Sequence, residues 1–200
     1  MPASTNLYSR REVFRVDRSP MPPGTLVNPY YMASHLRLID EARLAVDSGA
    51  PGLLDYLRTA RIADANSQPE ELPASDRLRM MIVLEAVFES VRLDICPHIP
   101  SRHEATFVWS SVDLAKRFRA EYLPTGQIHS CEISNGTATL RDGALLPPGI
   151  NIRLSTVEEL QIELARTTAR AEQYWRGEQP MTTPELMVKG QVRIVSAMAD

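Results

Sequence analysis

Phe107-Val108-Trp109-Ser110-Ser111-Val112-Asp113-Leu114-Ala115 is the stretch at which the chain changes texture. An apolar run of strand length, Ala105 to Trp109, passes through two small hydroxylated residues into a segment of helical spacing from about Ser111 to Tyr122. Upstream the apolar positions keep mostly helical spacing. Met32, Leu36, Ile39 and Leu44 predict a helix from Tyr30 to Asp47, and a shorter one is expected over Leu53 to Ala63, after the Ala50-Pro51-Gly52 break. Beyond the polar, proline-bearing region Asn66 to Pro73, Ser75 is placed as N-cap of the strongest helix, in which Leu78, Met81, Ile82, Val87, Phe88, Val91 and Ile95 form one wide apolar face ending at Pro97. Downstream, strand signals dominate. Gln127 to Ile133, an Asn135-Gly136 turn and the arm Thr137 to Arg141 read as a hairpin. Thr156 and Glu159 form a capping box for a helix reaching Tyr174, and Leu186 to Val195 reads as a strand interrupted by Gly190. At the other end, Leu7 to Val16 is a strand running into a proline-rich loop. Helices mostly first and strands mostly second predict an α+β fold with antiparallel sheets. A single domain over residues 1–200 is expected, with the helical segment 30–96 inserted between the first strand and the remaining sheet.

The bulk properties narrow the function classes. Two hundred residues with 44% hydrophobic content suffice for a full core. A net charge of -3 and a pI near 5.9 give no broad footprint for nucleic acid or an anionic membrane. No stretch has signal-peptide or membrane-spanning character, so a soluble, cytoplasmic protein, or one delivered into a target-cell cytoplasm, is expected. Cys96 and Cys131 lie apart in apolar surroundings and read as buried free thiols. His35, His98, His103 and His129 have no metal-ligand spacing, so no metal is expected. There is no Gly-x-Gly-x-x-Gly and no Walker A sequence, so any nucleotide is held by other means.

Besides the Trp109-Ser110-Ser111 stretch, two others carry candidate chemistry. Val13-Phe14-Arg15-Val16-Asp17-Arg18-Ser19-Pro20 puts an arginine and an aspartate on one strand face ahead of a proline-rich loop. The fixed fork of a guanidinium suits phosphate or ribose oxygens. Thr182-Thr183-Pro184-Glu185-Leu186-Met187-Val188-Lys189-Gly190 delivers one carboxylate from a polar loop to the start of a strand, where a fixed anion can offset positive charge developing on a sugar. Taken singly, Arg15 reads as a surface strand residue, Ser111 as a helix N-cap and Glu185 as a solvated residue at a strand start.

In their order along the chain, the three stretches resemble the ADP-ribosyltransferase superfamily of cholera- and pertussis-type toxins. The first is similar to that family's opening aromatic-Arg-x-Asp strand, the second to its Ser-Thr-Ser strand, and the third to its catalytic-glutamate strand. Glu-Leu-x-Val-x-Gly is also similar to the nucleic-acid-modifying DarT-type branch. The resemblance implies an ADP-ribosyltransferase-like fold with split antiparallel or mixed sheets flanked by helices. It implies that NAD+ is cleaved at its nicotinamide-ribose bond, with Glu185 catalytic, Arg15 gripping NAD and Asp17 ordering the loop. Trp109 replaces the first serine of the pattern, so only Ser110 and Ser111 are carried over as pocket residues. Pro97-His98-Ile99-Pro100-Ser101-Arg102 is similar to a Pro-Ser-Arg segment of bacterial relatives and implies Arg102 at the pocket edge. Thr183 stands where arginine-modifying members place Glu or Gln, which puts arginine modification in doubt. A nucleic acid, a small molecule, another protein side chain or water is left as acceptor, with a protein or nucleic acid the expected partner, and a toxin of this kind leaves room for an antitoxin or immunity protein. An NAD glycohydrolase, or a catalytically degenerate binding module, are the alternative readings. Tyr174 and Trp175 read either as ligand-stacking aromatics or as core anchors.

Overall fold

A computed structural model describes residues 12–27, 29, 33–59, 72–147, 149–150, 156–177 and 180–198. The fold is α+β with an antiparallel sheet. Its strands are β1 (Glu12–Asp17), β2 (Leu26–Val27), β3 (Thr106–Val108), β4 (Gln127–Asp142) and β5 (Pro184–Ala197). Its α-helices are α1 (Ala33–Asp47), α2 (Gly49–Thr59), α3 (Leu72–Ile95), α4 (Val112–Tyr122) and α5 (Val157–Arg176). One domain is expected over the chain, and its contacts fall into two compact units. One comprises Met1–Tyr31, His98–Ala144 and Arg176–Asp200; the other comprises Met32–Pro97 and Leu145–Trp175. The helical segment expected at 30–96 therefore shares its unit with α5.

The expected hairpin at Asn135-Gly136 is not there. β4 runs unbroken through both residues and pairs along its length with β5, which likewise runs unbroken through Gly190. Gly136 and Gly190 face each other in the register with φ of 146° and 150°. A Cβ on Gly190 would collide with the Asn135 carbonyl, and one on Gly136 with the backbone at Lys189 and Gly190. The glycines thus allow close backbone approach, not a turn. Register shifts at Ser130/Cys131 and between Ile133 and Asn135 add bulges that bend the pair.

β1 pairs with the first half of β4, β3 with the first half of β5, and β2 with Leu26 opposite Arg193. Phe14 of β1 and Trp109, just past β3, exchange two backbone hydrogen bonds of 2.8 and 2.7 Å, so the hydrogen-bonded path returns from β3 to β1. Val13, Val108, Cys131, Ile133, Ala138, Leu186, Val188, Val192 and Ile194 fill one face of the strands. On the other face Val16, Trp109 and Ile128 pack with Ala115 and Phe118 of α4.

The helical unit buries Leu53 and Leu54 of α2, Val83 of α3, Leu160 of α5 and Ile150 together. α2 begins four residues before the expected Leu53, because Pro51 lies in its first turn, where the missing N–H has no helical partner to lose. The expected extension to Ala63 lies outside the described residues. α3 is already helical at Leu72 and Pro73 for the same reason, so Ser75 is inside the helix and not its N-cap. Ile82 to Phe88 are buried all round, where a single apolar face was expected. α5 starts as its sequence predicts, the Glu159 N–H donating to Thr156 Oγ1 at 3.2 Å. Tyr174 and Trp175 are core anchors: Trp175 Nε1 donates to the Phe88 carbonyl at 2.6 Å, and Tyr174 packs edge-on to Phe88. Cys96 is partly exposed and not buried as expected, whereas Cys131 is fully buried.

Two tests follow from this packing. Gly190→Ala adds a backbone collision to the roughly 1–3 kcal/mol of strain that an unfavourable φ carries. Gly24 also has positive φ, 88°, but nothing lies within 4 Å of an added Cβ. In urea titrations Gly190→Ala is expected to lower the midpoint well beyond Gly24→Ala. Burial pushes the Cys131 thiol up to about 12, with Arg15 opposing and Asp17 assisting. The unfolded thiol ionises near its ordinary value of about 8.5. The resulting stabilisation is therefore complete below that value and is lost as pH rises from there towards the folded value. Between neutral pH and pH 10.5 the wild-type urea midpoint is expected to fall more steeply than that of Cys131→Val.

Candidate active site

Arg15 and Asp17 leave β1 on one side, two residues apart, as the strand period requires. Arg15 Nε lies 3.0 and 2.9 Å from the two Asp17 oxygens, and its NH1 group donates to the Phe107 carbonyl at 3.1 Å. Both side chains are nearly buried, at 13% and 17% exposure. The Asp17 carboxylate, expected to order the following loop, holds the guanidinium. Next to the Phe14–Trp109 bridge, Arg15 ties β1 to the main chain of β3 a second time.

Phe107 also serves Arg102. A one-turn 3-10 helix, Arg102–Glu104, is capped by the Ser101 hydroxyl, which accepts from the His103 N–H at 3.2 Å. This turn lays the Arg102 guanidinium over the Phe107 ring, 4.6 Å from its centroid, and brings NH1 to Glu185 Oε1 at 3.1 Å. Arg102 and Glu185 are 9% and 11% exposed, so two opposite charges share a largely desolvated space and each offsets the other's burial. Glu185 is the second residue of β5, not the first. Its neighbour Leu186 points into the core with Val13, so the pleat sends Glu185 to the opposite side from Arg15. The structure therefore links Arg15 and Glu185 through Phe107, its carbonyl held by one arginine and its ring covered by the other.

Sequence reasoning missed three residues here. Asp142, the last residue of β4, accepts the N–H groups of Thr182, Thr183 and Ala144 at 3.0, 2.7 and 3.1 Å. Gly143 follows it, and an added Cβ there would stand 3.3 Å from Glu185 Oε2, so glycine leaves room beside the carboxylate. Arg141, 1% exposed, pairs in register with Glu185 and donates through NH1 to the Leu140 carbonyl at 2.6 Å. The sequence signal was the run Arg-Asp-Gly at a strand end, a typical place for an aspartate that binds nearby backbone. His129 was noted only as a non-ligand. It is fully buried directly opposite Arg15, and neither ring nitrogen has a hydrogen-bond partner among the described residues.

The serines divide. Ser111 caps α4, its hydroxyl accepting from the Leu114 N–H at 3.3 Å, while Ser110 is exposed. Trp109, standing where the resemblance places the first serine, is buried against Phe118 at 4.3 Å between ring centroids. No group of three or more His, Cys, Asp or Glu able to hold a metal ion occurs among the described residues. The helical unit carries a groove of about 500 Å³ lined by Arg43, Asp47, Ser90 and Thr168, with none of the motif residues in it.

A family described as a protein of unknown function (DUF2441) matches residues 59–200. The chain belongs to the DUF2441 family. The DUF2441 match takes in Arg102, Asp142 and Glu185 and begins after Arg15. No curated protein matches the chain.

The Arg102–Glu185 pair is directly testable. Removing one member takes from the other the opposite charge that offsets its burial, at a cost of roughly 3–5 kcal/mol, whereas removing both takes the two charges away together. Arg102→Met is expected to destabilise more than the double variant Arg102→Met/Glu185→Gln, read from chemical denaturation midpoints.

Proposed function

We propose that this chain cleaves NAD+ between nicotinamide and ribose, with Glu185 as the catalytic carboxylate, and transfers ADP-ribose to a macromolecular acceptor in the manner of the ADP-ribosyltransferases it resembles. The observation that carries the reading is the buried Arg102–Glu185 pair set against the Phe107 ring, with Arg15 of the first motif holding the Phe107 carbonyl from the other side of the sheet. Residues far apart in sequence are thus tied to one residue of β3. The residues fit such a substrate. Arg102, on the Glu185 side of the sheet, is a cation whose forked donors suit diphosphate or ribose oxygens. As nicotinamide departs, positive charge develops on the ribose, and a fixed, poorly solvated carboxylate stabilises it more than water would. The Arg102 contact keeps that carboxylate in one orientation before substrate arrives.

Transfer to arginine does not suit this site. Thr183 offers a hydroxyl, which is no general base near neutral pH. α4 exposes Lys116 and Arg117, and the N-terminal Arg10 and Arg11 lie outside the described residues, so nucleic acid and protein stand level as acceptors. Water as acceptor makes the same site an NAD glycohydrolase. The buried Trp109 in place of a hydroxyl favours a second reading, a binding module that has lost turnover.

Nicotinamide release from NAD+ by the purified protein separates these. Wild type is expected to release nicotinamide, and Glu185→Gln to lose on the order of a hundred-fold or more in turnover while keeping its fold. With labelled NAD+ and agmatine, no transfer to agmatine is expected. Release unaffected by Glu185→Gln would refute the assignment, and no release from folded wild type would favour the binding module.

A further inference from the structure

We infer that Asp142 is the positioning residue of the site: it fixes the loop that delivers Glu185, and so sets the direction of that carboxylate. Pro184 opens β5 opposite Asp142 and has no N–H, so it donates no ladder bond at the point where the loop enters the strand just before Glu185. The two preceding N–H groups, of Thr182 and Thr183, are taken instead by the Asp142 carboxylate, one on each oxygen, at 3.0 and 2.7 Å. The oxygen that holds Thr183 also holds the Ala144 N–H at 3.1 Å. The Gly143 N–H donates to the Thr183 carbonyl at 2.8 Å, so strand end and loop grip each other from both sides.

The consequence reaches Glu185 along two routes. Thr183 lies two residues before it, so fixing both its N–H and its carbonyl fixes the peptide leading into the strand. Gly143, locked between Asp142 and Ala144, forms the wall beside Glu185 Oε2. Hydrogen bonds from backbone N–H to a carboxylate are charge-assisted and among the stronger ones, and Asp142 is only 7% exposed. A neutral side chain cannot reproduce the set. Asparagine keeps one acceptor oxygen but turns an amide NH2 towards an N–H donor, and alanine keeps none.

The test is Asp142→Ala with Asp142→Asn, measured in two ways. First, Arg102→Met, Glu185→Gln and their double variant are compared in each Asp142 background by unfolding midpoint. In wild type the two shifts are expected to be non-additive; with Asp142→Ala the non-additivity is expected to vanish, and with Asp142→Asn to persist in part. A residue that stabilises the fold without directing Glu185 lowers every midpoint and leaves the coupling intact, which overturns the proposal. Second, resting on the NAD-cleaving reading, Asp142→Ala is expected to lower kcat for nicotinamide release at least ten-fold with KM little changed, and Asp142→Asn to recover part of it. An equal kcat in all three proteins also overturns it. If wild type releases no nicotinamide the functional reading fails, while the coupling cycle still decides the role of Asp142. Should Asp142→Ala not fold, hydrogen exchange at the Thr182 and Thr183 amides in Asp142→Asn decides: faster exchange with weakened coupling supports the assignment, and unchanged exchange refutes it.

Discussion

The antiparallel pairing of β4 with β5 is the constraint on which the sheet unit depends. These two long strands carry a partner strand at each outer edge, β1 on one side and β3 with β2 on the other. Their continuity rests on a contact between two glycines, Gly136 and Gly190, where any side chain would push the backbones apart. The same pairing places the C-terminal end of β4 beside the N-terminal start of β5, since antiparallel strands put one strand's exit next to the other's entry. Asp142 and Glu185 therefore come together although more than forty residues and a whole helix separate them in the chain.

Two arginines of this unit each meet a carboxylate. Arg15 is neutralised by Asp17, and Arg102 by Glu185, both at low exposure. Such pairs seldom stabilise a fold better than apolar residues of the same size, so their presence beside a core of valine, isoleucine and leucine is a cost accepted for orientation. Phe107 makes the economy of the arrangement clear. Its carbonyl takes one guanidinium and its ring the other, so β3 holds both cations without a charged residue of its own at that position.

Much of the fold was legible locally. The helix over Val157 to Arg176 with its Thr156 cap, the strand-to-helix step at Ser111 and the antiparallel α+β class all follow from period and capping, which depend on residues a few positions apart. Where the structure differs, a partner distant in sequence is responsible at Asn135-Gly136 and at Tyr174 and Trp175, and a neighbouring proline at Ser75. Asn135-Gly136 carries a standard turn signal, yet the glycine is used for close approach to Gly190 more than fifty residues away. Ser75 carries a cap signal, yet Pro73 starts the helix earlier. Tyr174 and Trp175 were ambiguous until Phe88 supplied the partner that buries them.

The sequence by itself determined which residue types were available: a strand arginine with an aspartate two residues on, one carboxylate ahead of an apolar strand, and hydroxyls ahead of a helix. It also determined the periodicities, because side-chain direction along a helix or strand is a local property of the backbone. Only the tertiary structure decided which charge meets which. It gave Arg102 and not Arg15 to Glu185, gave Asp17 to Arg15, made Ser111 a cap, and drew Asp142 to the backbone of Thr182 and Thr183. Those partnerships depend on strand register and on which side of the pleat each side chain leaves, and register is fixed by pairing between segments that carry no local mark of one another.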